Sequence, residues 1–233
     1  QQMGKMAFEG GRIIRGFVDK YNIACDLKDG GIFAACNKKQ LAELESRKTL
    51  WNAHGNSELD MIYSDTITQY VGSELYVGGL LDKSGGHIHP LNLALGEAKA
   101  IEYLGGIIYE NSEVVKVEEG DKVKVHTRTG CVTADYLVVA GNAYLGGLIP
   151  QLDAKAIPCG SQIIGTEPLS EDLQKQILPK DNCVEDCNYL LDYFRLTNDG
   201  RLLYGGGVNY GVSQLGDVES KIVPKMIKTF PQL

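Results

Sequence analysis

The stretch SGGHIHPLNLALGEAKAIEYLGG, Ser84 to Gly106, decides the fold: a glycine-softened approach, a proline-started helix and a glycine stop. Pro90 suits the first helical position, where its missing N–H costs nothing and its fixed φ is already helical. His89 then falls near the N-cap. Leu91, Ala94, Leu95, Ala98 and Ile101 recur at helical spacing, with Asn92, Glu97, Lys99 and Glu102 left for the other face. Gly105-Gly106 ends the helix, because a left-handed residue after a helix costs least as glycine. Ile107 to Tyr109 reads as a strand resuming beyond it, so the helix connects strands in an α/β layer.

Upstream, Met3, Met6, Gly10, Ile13, Phe17 and Tyr21 step by three and four, an amphipathic helix ending near Asn22. Ile23–Lys28 and Gly31–Cys36 read as two strands of a hairpin turning at Lys28-Asp29-Gly30. Asn37 caps a second helix, with Leu41, Leu44 and Trp51 inward, that ends at Gly55. Leu59–Tyr63 reads as a strand, Asp65–Val71 as a helical turn or two, and Glu74–Leu81 as the strand leading into the central unit.

Downstream, Glu113–Val117, Val123–Thr127 and Cys131–Thr133 alternate apolar and polar residues between turn signals, the pattern of a three-stranded meander. Asp135 to Asn142 has an unbroken apolar centre, which suits a strand buried on both faces of a parallel sheet. Lys155–Thr166 is strand-like, and Ser170 caps a short helix with Leu173 and Ile177 on its apolar side. Tyr189–Leu196 and Arg201–Tyr204 flank Asn198-Asp199-Gly200, a hairpin signal. Pro224 and Pro231 leave room at the end for a short or bent helix only.

With 233 residues and 43% hydrophobic content, the chain can bury a substantial core, as one large domain or two interleaved ones. A formal charge of −7 argues against a nucleic-acid surface and is compatible with a cationic or neutral small substrate. No window approaches about 18 unbroken apolar residues and Gln1 to Lys5 lacks a signal-peptide pattern, so a cytoplasmic protein without membrane association is expected. The cysteines Cys25, Cys36, Cys131, Cys159, Cys183 and Cys187 form no C-x-x-C pair and are expected to be buried, reduced thiols. His87-Ile88-His89 has no third ligand at readable spacing, so no metal is assigned. The chain does not open on methionine and reads as a possible fragment.

The order of these elements, with GGHIHP at Gly85–Pro90, SEVVKV at Ser112–Val117, ADYLVVAGN at Ala134–Asn142, DYFR at Asp192–Arg195 and DGRLLYGGG at Asp199–Gly207, resembles the FAD-dependent amine and amino-acid oxidoreductases of the D-amino-acid oxidase type. Within that family it looks most like the members that oxidise gamma-glutamylputrescine. The resemblance covers nearly the whole chain. It implies an α/β plus α+β fold: a truncated FAD-binding domain (residues 1–21, 82–148 and 206–233) interleaved with an antiparallel-sheet substrate domain (22–81 and 149–205). The family's strand, G-x-G-x-x-G turn and helix, which hold the cofactor pyrophosphate on backbone N–H groups, have no counterpart here. Gly205-Gly206-Gly207 is no substitute, since no clear helix follows it. Segments that complete the family's substrate sheet beyond Phe230–Leu233 are likewise missing.

The resemblance also nominates residues. Val114 stands where such flavoproteins place a main-chain contact to adenine, or is a core valine. Ala140, Gly141 and Asn142 end the expected buried strand, where ligands gather in open α/β sheets, or form a structural turn. Gly85, Gly86 and His87 pass their backbone by the flavin ring, or His87 and His89 merely cap the helix. Tyr193 and Arg195 share one strand face and could orient a substrate carboxylate, or form a surface pair stacked on one another.

The implied activity is oxidation of a carbon–nitrogen bond in a small-molecule amine, with FAD as cofactor and no side-chain base nominated. Gamma-glutamylputrescine is the expected substrate, and glycine, sarcosine or a D-amino acid the alternatives. A pyridine-nucleotide dehydrogenase would need a glycine fingerprint that is missing, and a catalytically inert binding fragment is the rival of another class. Oligomeric state is not readable.

Overall fold

The computed structural model describes residues 2–210 and 216–233. By their contacts these residues form two units. One gathers the chain through Ile101, Ser161–Val208 and the last helix; the other is built on Glu102–Gly160. This division follows packing, and differs from the cofactor and substrate division drawn above, which concerns ligand faces.

The first unit is a sheet with unlike faces. Its strands are β1 (Lys28–Ala35), β2 (Leu59–Tyr63), β3 (Gly78–His87), β7 (Cys159–Gly165), β8 (Cys183–Asp186), β9 (Asp192–Leu196) and β10 (Leu202–Tyr210), β7 starting in the stretch where the two units meet in sequence. Their order is β2-β3-β1-β8-β9-β10-β7. All the mapped pairings are antiparallel except β1 with β8, which run parallel with Gly31 opposite Cys183 and Phe33 opposite Glu185. Because side chains alternate, Ile32, Val184, Phe194, Leu202 and Tyr204 all point to one face and form the main core. Phe194 stacks on Tyr204 with centroids 5.3 Å apart and meets Phe230 edge-on at 5.0 Å. Burying a side chain such as Phe194 contributes roughly 2–3 kcal/mol.

Two helices reach this core. Helix α5 (Glu171–Ile177) is capped by Ser170, whose hydroxyl accepts from Leu173 N, and buries Ile177. Helix α6 (Val218–Thr229) buries Ile222 and Met226 and ends at the buried Phe230. It runs through Pro224 for 12 residues: three apolar anchors at spacing four outweigh one lost hydrogen bond. On the opposite face, α2 (Lys38–Ala53) is capped by the Asn37 side chain and sets Leu44 against Ala35, Leu59 and Leu80. Phe33 and Trp51 pack edge to face beside it. That helix packs with β1, β2 and β3, and the rest of the face is the one that carries Glu185, Tyr193, Arg195 and Leu203.

Several expectations are corrected. Ile23–Leu27 is not a strand, and Asp29-Gly30 is a bulge inside β1 rather than a hairpin turn. The Cys25 carbonyl accepts from His89 N at 2.7 Å, which takes this segment to the start of α3 (Pro90–Tyr103) instead of to a ladder. Strand β3 starts later than Glu74, because Leu75 N is donated to Ser73 Oγ in a local turn, and continues through Gly85-Gly86 to His87. Asp65–Val71 yields one 3-10 turn, Ile67–Gln69. Cys25 is buried, but Cys131 and Cys159 are exposed, against the expectation of buried thiols.

Helix α1 (Gln2–Tyr21) has no buried residue and is held in part by Arg15. That guanidinium donates to Asp29 Oδ1 at 2.8 Å and to the carbonyls of Ser84 and Gly85, each at 2.9 Å.

The second unit contains the expected meander: β4 (Val114–Glu118), β5 (Val123–Thr127) and β6 (Cys131–Ala134), antiparallel in that order. Asp135–Gly141 is not a strand. Tyr136 is 90% and Val138 86% exposed, and the segment has no partner in either ladder of the described residues. Ile107–Tyr109 is not a strand for the same reason. An apolar run becomes a strand only where a neighbour supplies the other half of its hydrogen bonds. Four-residue α4 (Pro150–Asp153) closes the unit before Gly160. Among the described residues, no helix is long and apolar enough to cross a membrane.

Candidate active site

The exposed face of β8, β9 and β10 forms the floor of a cavity of about 600 Å³. Register places its side chains. Glu185 lies opposite Tyr193, and Arg195 opposite Leu203, all on the face away from the Phe194 core. Gly85, Gly86 and Pro90 bound the cavity at the end of β3, and Phe33 and Ile163 add apolar wall. The cavity therefore unites four of the residues nominated from sequence: Gly85, Gly86, Tyr193 and Arg195.

Each is fixed differently. The Tyr193 ring lies over Gly205, where an added Cβ would come within 2.1 Å of it, and its hydroxyl donates to the Gln162 carbonyl at 3.2 Å. Tyr193 is thus packed on glycine and tethered, not stacked on Arg195. The Arg195 guanidinium donates once to the Leu196 carbonyl at 3.1 Å and keeps its other donors for the cavity. At Gly86 a side chain is excluded by the protein itself, since a Cβ would stand 2.2 Å from the Lys28 carbonyl oxygen.

His87 Nε2 lies 3.1 Å from the Asp181 carbonyl, an acceptor only, so the neutral ring carries its proton on Nε2. Nδ1 is then a bare acceptor, buried and without a partner among the described residues. Burial holds the His87 pKa below the ordinary histidine value, and the nearby Arg195 charge adds to that, against the opposing pull of the Asp181 carbonyl. His89, by contrast, caps α3: its Nδ1 accepts from Asn92 N at 3.2 Å.

Sequence reasoning missed Glu185 and Phe33. Glu185 is half-buried, with a pKa raised mainly by desolvation and lowered by Arg47. Arg47, on α2, rests its guanidinium 5.1 Å from the centre of the Phe33 ring and 5.8 Å from that of Trp51. The signal for both was present in the alternation of β1 and β8, once their parallel pairing is known. A larger cavity of about 820 Å³ lies beyond the Asp82–Gly85 turn, walled by α1 and the end of α2. Of the nominated residues it touches Gly85 alone.

Val114 and Ala140–Asn142 lie in the second unit. Val114 is half-buried opposite Thr127, beside a register shift in the β4 ladder. Ala140 is exposed, and Gly141 and Asn142 open a 3-10 turn instead of ending a strand.

The described residues suit one end of FAD. A side-chain-free Gly85-Gly86 edge fits a flat ring. Among the described residues, the pyrophosphate end finds no match. Helix α3 begins with proline and spends a free N–H on His89, and Gly205–Gly207 lies within strand β10.

The family model described as FAD dependent oxidoreductase matches residues 1–233. Gamma-glutamylputrescine oxidoreductase of Escherichia coli (strain K12) is 54% identical over 234 residues, covering 100% of this chain and 55% of the relative. A probable oxidoreductase, OrdL, of Haemophilus influenzae is 36% identical, with 54% of its length covered. The chain thus spans about half the length of the curated relatives it matches. Among solved structures, L-proline dehydrogenase from P. horikoshii superposes with a TM-score of 0.79 at 16% identity, over 97% of this chain and 62% of that one. Glycine oxidase from Geobacillus kaustophilus gives 0.73 at 16% identity, over 95% and 60%. These two share the fold.

Proposed function

Because the chain belongs to the FAD dependent oxidoreductase family along its whole length, we propose that the whole protein oxidises the carbon–nitrogen bond of a small amine, with gamma-glutamylputrescine as its substrate. The observation that carries the proposal is the joint placement of Tyr193, Arg195, Gly85 and Gly86 around one cavity on the open face of the sheet. The relative of 54% identity supplies the substrate class.

FAD, when bound, accepts the hydride. The chain's own residues do the positioning. Tyr193, held by Gly205 and Gln162, is a rigid wall against which an alkyl chain lies. Phe33, Ile163 and Leu203 keep water from that chain. Arg195 offers a planar fork to a carboxylate. Gly85 and Gly86 bring backbone, not side chain, to the cofactor edge, and the His87 backbone passes beside them. Val114 and Ala140–Asn142 are proposed cofactor contacts of the second unit. Residues 1–21, 82–148 and 206–233 are read as the cofactor side, 22–81 and 149–205 as the substrate side. We place the protein in the cytoplasm, a compartment that suits six cysteines without a C-x-x-C pair.

The test is aldehyde and peroxide release from flavin-loaded whole protein given a panel of amines and amino acids that includes gamma-glutamylputrescine. Rapid flavin bleaching by that amine is expected. A flavin reduced by no member of the panel would refute the substrate class.

A further inference from the structure

Register sets the Glu185 carboxylate between two aromatic residues on the open face of the sheet. Glu185 lies opposite Phe33 across the parallel β1–β8 ladder and opposite Tyr193 across the antiparallel β8–β9 ladder. Directly paired residues point to the same face, and all three line the cavity of about 600 Å³. Among the described residues no hydrogen bond or ion pair reaches this carboxylate. Arg47 is engaged elsewhere: its guanidinium lies on the Phe33 and Trp51 rings, outside the cavity wall, and favours the ionised form of Glu185 only from a distance. The cavity's other carboxylate, Asp82, is committed to its own turn, accepting from Ser84 N at 2.9 Å, Ser84 Oγ at 2.6 Å and Gly85 N at 3.3 Å. Glu185 is therefore the negative charge that the fold leaves unanswered there. Half-buried, it has lost part of its water and gained no cation in return.

Register also sets how far this charge stands from the proposed cofactor edge. Asp29 faces Gly86 and Phe33 faces Glu185, four residues on along β1. At about 3.3 Å per residue, with some shortening at the bulge, the separation is about 10–13 Å. In extended γ-glutamylputrescine the α-nitrogen stands about 11 Å from the carbon that bears the primary amine, at about 1.2 Å per bond. Putrescine alone spans only about half of that.

We propose that Glu185 is a specificity-determining residue of the cavity, binding a second ammonium group of the substrate at the end remote from the carbon that is oxidised. This rests on the amine-oxidising reading above and deepens it: the substrate class is an amine with a second cationic nitrogen at a set distance from the reacting carbon. The ammonium donates to the Glu185 carboxylate and replaces the water that burial removed, while Phe33 and Tyr193 border the contact on either side. An amine lacking that nitrogen leaves the carboxylate unpaired, so it is rejected through the cost of that charge as well as through shape.

The test reads binding apart from turnover. Isothermal titration of the flavin-loaded whole protein, without oxygen, compares γ-glutamyl-n-butylamide, which lacks the primary amine, with glutaric acid mono-n-butylamide, which lacks the α-ammonium as well. Both keep a carboxylate for Arg195. Wild type is expected to bind the first at least about tenfold more tightly. Glu185→Gln should reduce that preference to about twofold or less and leave affinity for the second ligand unchanged, a split that a merely structural role would not give. Glu185→Asp, which keeps the charge, should keep part of the preference. Equal binding of both ligands by wild type, binding of neither, or a preference that survives Glu185→Gln would overturn the proposal. So would bleaching of the flavin by γ-glutamyl-n-butylamide, which would put the α-carbon at the cofactor edge. If the preferences behave as expected while no amine of the panel reduces the flavin, the reaction is misassigned and the ammonium site stands.

Discussion

Lys225 Nζ lies 2.7 Å from Asp192 Oδ1, joining the last helix to the first residue of the strand that carries Tyr193 and Arg195. Asp192 is mostly buried, and its other oxygen accepts from the Tyr204 hydroxyl at 3.2 Å. Tyr204 is in turn 2.9 Å from Thr229 Oγ1, so four side chains tie α6 to two strands. Lys225→Met should therefore cost about 1–2 kcal/mol, discounted because the lysine is 40% exposed. Urea unfolding measures it, and a midpoint unchanged from wild type would assign the pair no role.

His87 gives the fold a pH dependence. Its pKa is lowered in the folded state by burial, so below about pH 6.5 the unfolded chain takes up a proton that the folded chain resists. This contribution is intact above the unfolded value, falls as pH drops towards the folded one and levels off beneath it. His87→Gln should flatten this part of the stability profile between pH 7 and 5. An identical profile would show that other groups dominate.

Gly72 allows the closest backbone approach in the core. It donates to the Ile177 carbonyl at 2.9 Å, and an added Cβ would lie 1.7 Å from the Gln176 carbonyl oxygen. Gly72→Ala cannot be absorbed by a rotamer change and should cost about 3 kcal/mol or more. Thermal unfolding within a degree or two of wild type would contradict the packing.

Arg195→Lys keeps the charge but loses the planar fork. Apparent affinity should fall several-fold for substrates with a carboxylate and hardly at all for those without one. An equal loss for both would make Arg195 a structural residue.

The 233-residue chain alone should retain FAD poorly. Its described residues suit the ring end, and each hydrogen bond there is worth about 1 kcal/mol, too little to order a long dinucleotide. Equilibrium dialysis should leave the protein colourless. A yellow preparation with stoichiometric flavin would reveal a phosphate site elsewhere.

What could be read from sequence was what is decided locally. Asn37, Ser170 and His89 mark helix starts through bonds within three residues of themselves and Pro90 through its fixed φ, and the meander closes through its own turns. Tyr193 and Arg195 were paired by strand period alone. The failures all depend on distant partners. Tyr136–Val139 has strand composition but no ladder neighbour, and Asp29-Gly30 looks like a turn until β3 pairs along both of its sides. Glu185 escaped notice because its significance lies in Phe33 and Arg47, which are brought beside it by a parallel pairing that leaves no local trace. Arg15, gripping the Ser84 and Gly85 carbonyls, was hidden in the same way.

That parallel pairing also has a timetable. The Asn182 side chain donates to the Gly30 carbonyl across 152 residues, so β1 leaves the ribosome long before β8 exists. At about 5–20 residues per second the wait is roughly 10–30 s. For that interval β1, β2 and β3 form half a sheet whose open edge invites the wrong strand. Synthesis rate and chaperone supply, more than final stability, then govern how much of the protein reaches its native state.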